Sequence, residues 1–148
     1  MRIKLSKLLN EIGLKAKSAS AILNTASSNQ KNKFFDLAIL SIQKNVNAIL
    51  DANKVDIKAA EDNKKDEAFI DRLALDKNRL WGICDTLAEI KSFNDPIGRV
   101  LASWDRPNGL NISRVATPLG VIGLIFESRP NVAADAGGLC LKSGNAVI

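Results

Sequence analysis

Pro118-Leu119-Gly120-Val121-Ile122-Gly123-Leu124-Ile125-Phe126-Glu127-Ser128-Arg129-Pro130-Asn131 carries an apolar run straight into a charged corner. Leu119 to Phe126 shows no polar alternation, the pattern of a strand covered on both faces of a parallel sheet. Pro130 fixes its own φ, suits the first turn of a helix and drives Arg129 out of the α region, so strand gives way to helix within about two residues. A guanidinium and an amide are thereby expected at the carboxyl end of a central strand. Open parallel sheets keep their ligand crevice outside that end, where the free N–H groups of a helix start suit an anion. The expected fold class is α/β.

Downstream, Ala133, Ala134, Ala136, Gly137 and Gly138 make a helix of small residues. Each glycine costs a helix interior about 1 kcal/mol, so the adjacent pair implies a close approach to the sheet or to a ligand. Lys142 falls near the negative end of this helix and Gly144 at its C′ position, after which Ala146-Val147-Ile148 resumes an apolar strand. A strand-helix-strand unit that stops there cannot bury its own faces, so a piece of a longer protein is expected. Gly120 and Gly123 do not complete G-x-G-x-x-G, and a dinucleotide bound here would be held in another way.

Upstream the pattern is helical. Leu5, Leu8, Leu9 and Ile12, continued by Ala16, Ala19, Ile22 and Leu23, predict one or two helices within residues 1–26, before the polar gap Ser27-Ser28-Asn29. Phe35, Ala38, Ile39, Ile42, Val46 and Ile49 predict a core-facing helix over 30–50, closed or bent by Asp51-Ala52-Asn53. Residues 54–67 are heavily charged and expected as a solvated loop or helix end. Asp76 is placed to cap a helix over 77–92 with the stripe Leu80, Ile83, Cys84, Leu87 and Ile90, and Asn94-Asp95-Pro96 stops it. Gly98, Pro107, Asn108 and Gly109 mark turns, and Leu110 to Ala116 alternates as a strand.

A length of 148 residues at 46% hydrophobic content suffices for one core. The net charge of +5 arises from 21 basic residues dispersed among 16 acidic ones, a solvated surface rather than a nucleic-acid footprint. Histidine is absent and the cysteines number two, which removes the commonest acid/base group and any zinc set, so no metal is expected. Both Cys84 and Cys140 lie among apolar neighbours and are expected as core. The charged start, Met1-Arg2-Ile3-Lys4-Leu5-Ser6-Lys7, has no apolar signal core, and no stretch approaches the ~18 apolar residues of a membrane span. Cytoplasmic location, with no membrane and no nucleic-acid partner, is the expectation.

Several spaced motifs then acquire a collective meaning: Gln30-Lys31-Asn32, Ile49-Leu50-Asp51-Ala52-Asn53-Lys54-Val55-Asp56, Asp71-Arg72-Leu73, Asp95-Pro96-Ile97-Gly98-Arg99-Val100 and Arg106-Pro107-Asn108-Gly109-Leu110. With Pro118 to Gly123, Glu127-Ser128-Arg129-Pro130-Asn131-Val132 and Leu139 to Ile148, they closely resemble the N-terminal portion of the gamma-glutamyl phosphate reductase (glutamate-5-semialdehyde dehydrogenase) family, within the aldehyde dehydrogenase superfamily. Arg-Pro-Asn after the apolar strand is similar to this family and unlike ordinary aldehyde dehydrogenases, which look like Trp-Asn-x-Pro there. The resemblance implies an N-terminal helical part, 1–109, leading into the first strands and helix of a Rossmann-like parallel sheet, 110–148. The catalytic and oligomerisation parts would lie outside the chain.

It further implies NADPH-dependent reduction of L-glutamyl 5-phosphate to L-glutamate 5-semialdehyde and phosphate, in proline biosynthesis, by a homo-oligomer supplied by a glutamate kinase. A reductase of another acyl phosphate or of an acyl-CoA in the same superfamily is the alternative. The nucleophilic cysteine of such enzymes belongs to a later domain, so the chain alone is expected to be inactive; Cys140 matches a cofactor-domain Leu-Cys-Leu-Lys segment. Residue type favours Asn131 as the catalytic amide donor to the oxyanion. Counting forward from Gly120 instead sets Arg129 opposite the superfamily's asparagine, and the choice stays open. Arg129 otherwise grips the substrate phosphate or carboxylate, unless it forms an ion pair with Glu127 or Asp135. Asn131 and Ser128 have the bland alternative of capping a helix. Phe126, Glu127 and Ser128 are expected along the cofactor path.

Overall fold

The computed structural model describes residues 2–148, with side chains from Ser6 onward. Its elements are α1 (Arg2–Leu23), α2 (Ser28–Lys44), α3 (Val46–Asp62), α4 (Glu67–Leu73), α5 (Lys77–Ser92), β1 (Val100–Asp105), β2 (Asn111–Val115), β3 (Val121–Ile122), α6 (Pro130–Lys142) and β4 (Ala146–Val147). The chain is α/β and mostly helical, and it forms two compact units, each assembled from separated segments. Residues up to 28, 94–124 and 140–148 make one; residues 29–93 and 125–139 make the other.

In the first unit α1 packs on β3 and β4. Of its expected apolar stripe Ala16 is buried while Leu8, Leu9 and Ile12 remain exposed; Leu5 lies outside the described side chains. β1 and β2 form an antiparallel hairpin closed by Arg106–Leu110, where the Arg106 N–H donates to the Leu110 carbonyl at 2.8 Å. β2 falls within the strand the alternation predicts, whereas β1 was not anticipated. The Pro107-Asn108-Gly109 turn folds residues 100–105 back onto it, pairing Trp104 with Ile112.

β3 and β4 pair in parallel across α6, giving the expected strand-helix-strand unit. The ladder continues through Ala146 N–H to Gly120 O (2.9 Å), Ile148 N–H to Ile122 O (2.9 Å) and Leu124 N–H to Ile148 O (2.8 Å). Burial on both faces is not found: Leu119 is 87% and Ile125 101% exposed. The apolar run meets a sheet of two strands, so among the described residues the far edge of β3 has no partner and its faces little cover. Gly144 closes α6 as expected. At φ +73° its N–H donates to Leu141 O (3.0 Å) while the Asn145 N–H donates to Cys140 O (2.7 Å), a Schellman pattern. A Cβ there would stand 2.9 Å from Pro118 Cγ, which adds crowding to conformational strain. The buried Asn145 then accepts the Gly120 N–H at 2.8 Å and ties the helix end to the start of β3.

The second unit is built on α5. Leu80, Ile83, Cys84, Leu87 and Ile90 are all buried, as their spacing requires, against a core that includes the fully buried Phe35 of α2. Each such side chain contributes roughly 1.5–3 kcal/mol of burial. Asp76 caps α5, accepting the Arg79 N–H at 2.7 Å. Of the adjacent glycines of α6 only Gly138 makes a close approach, and it is to other helices: a Cβ there would meet Leu87, Ile90 and Phe35 side chains at 3.2–3.3 Å, whereas one on Gly137 would meet nothing within 4 Å.

Of the two expectations between α2 and α5, the solvated helix end within 54–67 is met and the helix break is overturned. The helix break falls at Asn45, whose Nδ2 turns back to Ser41 O at 2.8 Å, and not at residues 51–53. Asn53 instead sits buried within α3, donating from Nδ2 to Leu73 O (2.9 Å) and accepting the Leu75 N–H on Oδ1 (2.7 Å). The charged stretch after it is helical to Asp62 and ends with Lys64 in the left-handed region at φ +54°. Asp66 then caps α4, which the sequence did not announce because its seven residues are too few to display a period.

Asn53→Ala leaves a buried carbonyl and N–H unpaired and is expected to destabilise the fold by about 1–3 kcal/mol. Lys64→Gly removes a left-handed penalty and is expected to stabilise by up to about 1 kcal/mol. Urea unfolding of both variants beside the wild type checks the opposite signs.

Candidate functional site

The corner lies wholly in the second unit. Pro130 opens α6, and the Arg129 carbonyl accepts the Val132 N–H at 3.1 Å, as a proline at the first helical position allows. Ser128 before it is left-handed at φ +52°, a conformation that disfavours a non-glycine residue. Among the described residues, the backbones of Ile125, Phe126 and Glu127 make no bond to another backbone group. The cluster before α5 touches this run from the side. Lys65 Nζ stands 3.9 Å from Glu127 Oε1 and 4.7 Å over the Phe69 ring, and Arg72 Nε is 3.4 Å from Ser128 Oγ.

α4 is itself anchored. Arg79, in the first turn of α5, donates from Nη1 to Asp71 O and to Ala74 O (2.8 Å), and from Nη2 to Asp71 Oδ1 (2.7 Å). Together with the Asn53 bonds these fix the chain between α4 and α5. A cleft of about 400 Å³ opens beside it, lined by Arg72, Arg79, Thr86, Arg129, Asn131 and Asp135 among others.

The cleft combines charges of very different standing. Arg79 is committed to backbone and to Asp71, but neither Arg72 nor Arg129 pairs with a carboxylate among the described residues. The ion pair weighed for Arg129 does not form, since Glu127 faces Lys65 and Asp135 accepts the Asn131 amide. Asn131 is the second residue of α6 and not its cap; its Nδ2 donates to Asp135 Oδ2 at 2.8 Å, one turn along. Asp135 Oδ1 is buried with no hydrogen-bond partner. Ser128 makes no capping bond either, and its hydroxyl meets Arg72.

The structure thus brings Arg129 and Asn131 into one cleft and leaves Phe126, Glu127 and Ser128 on the adjoining run, outside its lining. Arg72, Arg79, Thr86 and Asp135 were missed. The signal for Asp135 was its i+4 spacing from Asn131, and for Arg72 the Asp71-Arg72-Leu73 motif itself.

Cys84 and Cys140 are buried and unbridged. Burial pushes both thiols up, with the Asp85 charge adding to the effect at Cys84. Among the described residues no group of three or more His, Cys, Asp or Glu could hold a metal ion. No described helix is long and apolar enough to cross a membrane.

These features define a segment of an α/β protein with an arginine-rich cleft beside the start of α6. No protein-family model matches the chain. It is similar to the N-terminal portion of gamma-glutamyl phosphate reductases. The Brucella suis biovar 1 reductase is 51% identical over 144 residues, 97% of this chain and 34% of the relative. The Erythrobacter litoralis reductase is 53% identical over 140 residues, 95% of this chain and 33% of the relative. The crystal structure of the Thermotoga maritima reductase superposes with a TM-score of 0.91 at 37% identity, covering 94% of this chain and 34% of that one. For the Saccharomyces cerevisiae reductase the values are 0.88, 31%, 93% and 35%. The chain therefore spans about one third of the length of the curated relatives it matches.

A thiol whose folded pKa is raised stabilises fully below its unfolded value and loses that contribution as pH rises through the folded value. Native protein is expected to resist thiol labelling at about pH 8 while the urea-unfolded chain labels completely. Stability lost above pH 9.0, the ordinary thiol value, is expected to shrink in Cys140→Ala, as read from unfolding midpoints across that range.

Proposed function

We propose that this chain is part of an NADPH-dependent acyl-phosphate reductase. The complete protein converts L-glutamyl 5-phosphate to L-glutamate 5-semialdehyde with release of phosphate, a step of proline biosynthesis. The observation that carries the proposal is identity of 51% with a named reductase across 97% of the chain. The cleft supports it chemically, because two guanidiniums free of carboxylate partners suit an anionic substrate and a carboxamide beside them suits a developing oxyanion.

The geometry supports the following roles. Arg129 holds the anionic end of the substrate. Asn131 donates to the carbonyl oxygen; Asp135 Oδ2 takes one of its two amide hydrogens and so orients the other. Burial and a raised pKa argue against Cys140 as nucleophile, and the attacking cysteine is assigned to the remainder of the protein. A nicotinamide cofactor fits the run before the corner, where Phe126 is half exposed and residues 125–127 leave their backbone groups free. When bound, NADPH supplies the hydride; Phe126, Glu127 and Ser128 border its path. On the same reading residues 1–109 and 110–148 are the helical part and the first elements of a Rossmann-like cofactor domain. The intact protein is cytoplasmic and homo-oligomeric, and a glutamate kinase supplies its substrate.

The test is the complete protein assayed in reverse, where NADP⁺ reduction must require both glutamate semialdehyde and phosphate. Activity with an acyl-CoA donor and none with the acyl phosphate would contradict the proposal. Within an active protein, Asn131→Ala is expected to lower kcat by roughly 10²–10³ with KM little changed. Arg129→Lys is expected to lower kcat/KM, because a point ammonium cannot reproduce a bidentate fork.

A further inference from the structure

We infer, resting on the reductase reading above, that Arg72 is a second substrate-binding arginine, and that Arg72 and Arg129 together grip the phosphoryl group of the acyl phosphate. Both line the same cleft of about 400 Å³, and neither has a carboxylate partner among the described residues. Arg79 lines it too but cannot serve, since its Nη1 and Nη2 are bound to two carbonyls and to Asp71. Asp135 also lines the cleft, but with one oxygen turned to Asn131 and the other buried it forms no ion pair with either arginine.

The attachment of Arg72 suits this task. Its Nε reaches Ser128 Oγ at 3.4 Å, which leaves the paired Nη1 and Nη2 edge for a ligand. Ser128 immediately precedes Arg129, so the contact brings the end of α4 against the residue next to the other arginine. The left-handed Ser128 lies in that link, the kind of locally strained backbone found where a ligand is gripped. A phosphate dianion offers oxygens to two forks at once, and Lys in either position would supply charge without the matching geometry. Free phosphate and the cofactor's own phosphates share this chemistry; the substrate's phosphoryl group is the assignment made here.

The experiment titrates the complete protein with inorganic phosphate by calorimetry, and separately with NADPH, for wild type, Arg72→Gln, Arg72→Lys and Lys58→Gln. Lys58, an exposed residue of α3, controls for loss of one positive charge. Arg72→Gln is expected to weaken phosphate binding by about tenfold or more, Arg72→Lys by less, and Lys58→Gln by less than about twofold. NADPH affinity is expected to stay within about twofold throughout. Phosphate affinity unchanged in Arg72→Gln overturns the inference, as does a loss confined to NADPH. If Arg72→Gln does not fold, Arg72→Lys decides by the same comparison. Because binding is read without turnover, a protein inactive on glutamyl phosphate that still loses phosphate affinity in Arg72→Gln sinks the reductase reading and leaves the two-arginine site standing.

Discussion

The Asn53 amide, buried inside α3, hydrogen-bonds the backbone at Leu73 and at Leu75, and the α4 side of the cleft rests on that tie. Those two bonds, with Arg79 on Asp71 O and Ala74 O, hold the link between α4 and α5 in place. A helix as short as α4 has little stability of its own, so tertiary ties must fix it. Once fixed, it presents Arg72 to Ser128, while Lys65 just before it reaches Glu127. The strand-to-helix corner is therefore positioned from outside its own strand.

Much of this frame is written locally. The α5 stripe from Leu80 to Ile90, its cap at Asp76 and the glycine stop at Gly144 each follow from periodicity or from a single stereochemical demand, and each is found where the sequence places it. The helix start at Pro130 is found there too, but β3 ends at Ile122, so strand and helix are separated by residues 123–129 and not by about two residues as the apolar run implies. What stayed hidden is long-range. Asn45 and Asn53 are the same residue type in similar helical surroundings, yet one bends the chain and the other cross-links it, a difference decided by a backbone 20 residues further on. β1 needs its hairpin partner to exist. The apolar run of β3 reads as buried because burial is inferred from composition, whereas cover is a matter of neighbours.

The candidate site divides in the same way. Arg129 and Asn131 were legible because proline chemistry fixes a corner around them, and the structure places both on the cleft. Arg72 was visible only as part of a motif without a role, since its position against Ser128 depends on helix placement. The site also carries two unfavourable features, the left-handed Ser128 and the unpartnered Asp135 Oδ1. Neither contributes to folding. Both adjoin the residues assigned to substrate, where local strain and an oriented amide are useful.

The central claim is that the corner and α4 jointly form the anion site of a phosphate-releasing reductase. A crystal structure of the complete protein with bound inorganic phosphate tests it most directly. The account predicts phosphate oxygens within hydrogen-bond reach of the Arg72 and Arg129 guanidiniums, with the Asn131 amide still held by Asp135. Phosphate bound elsewhere, or Arg129 closed against a carboxylate from the rest of the polypeptide, would contradict it.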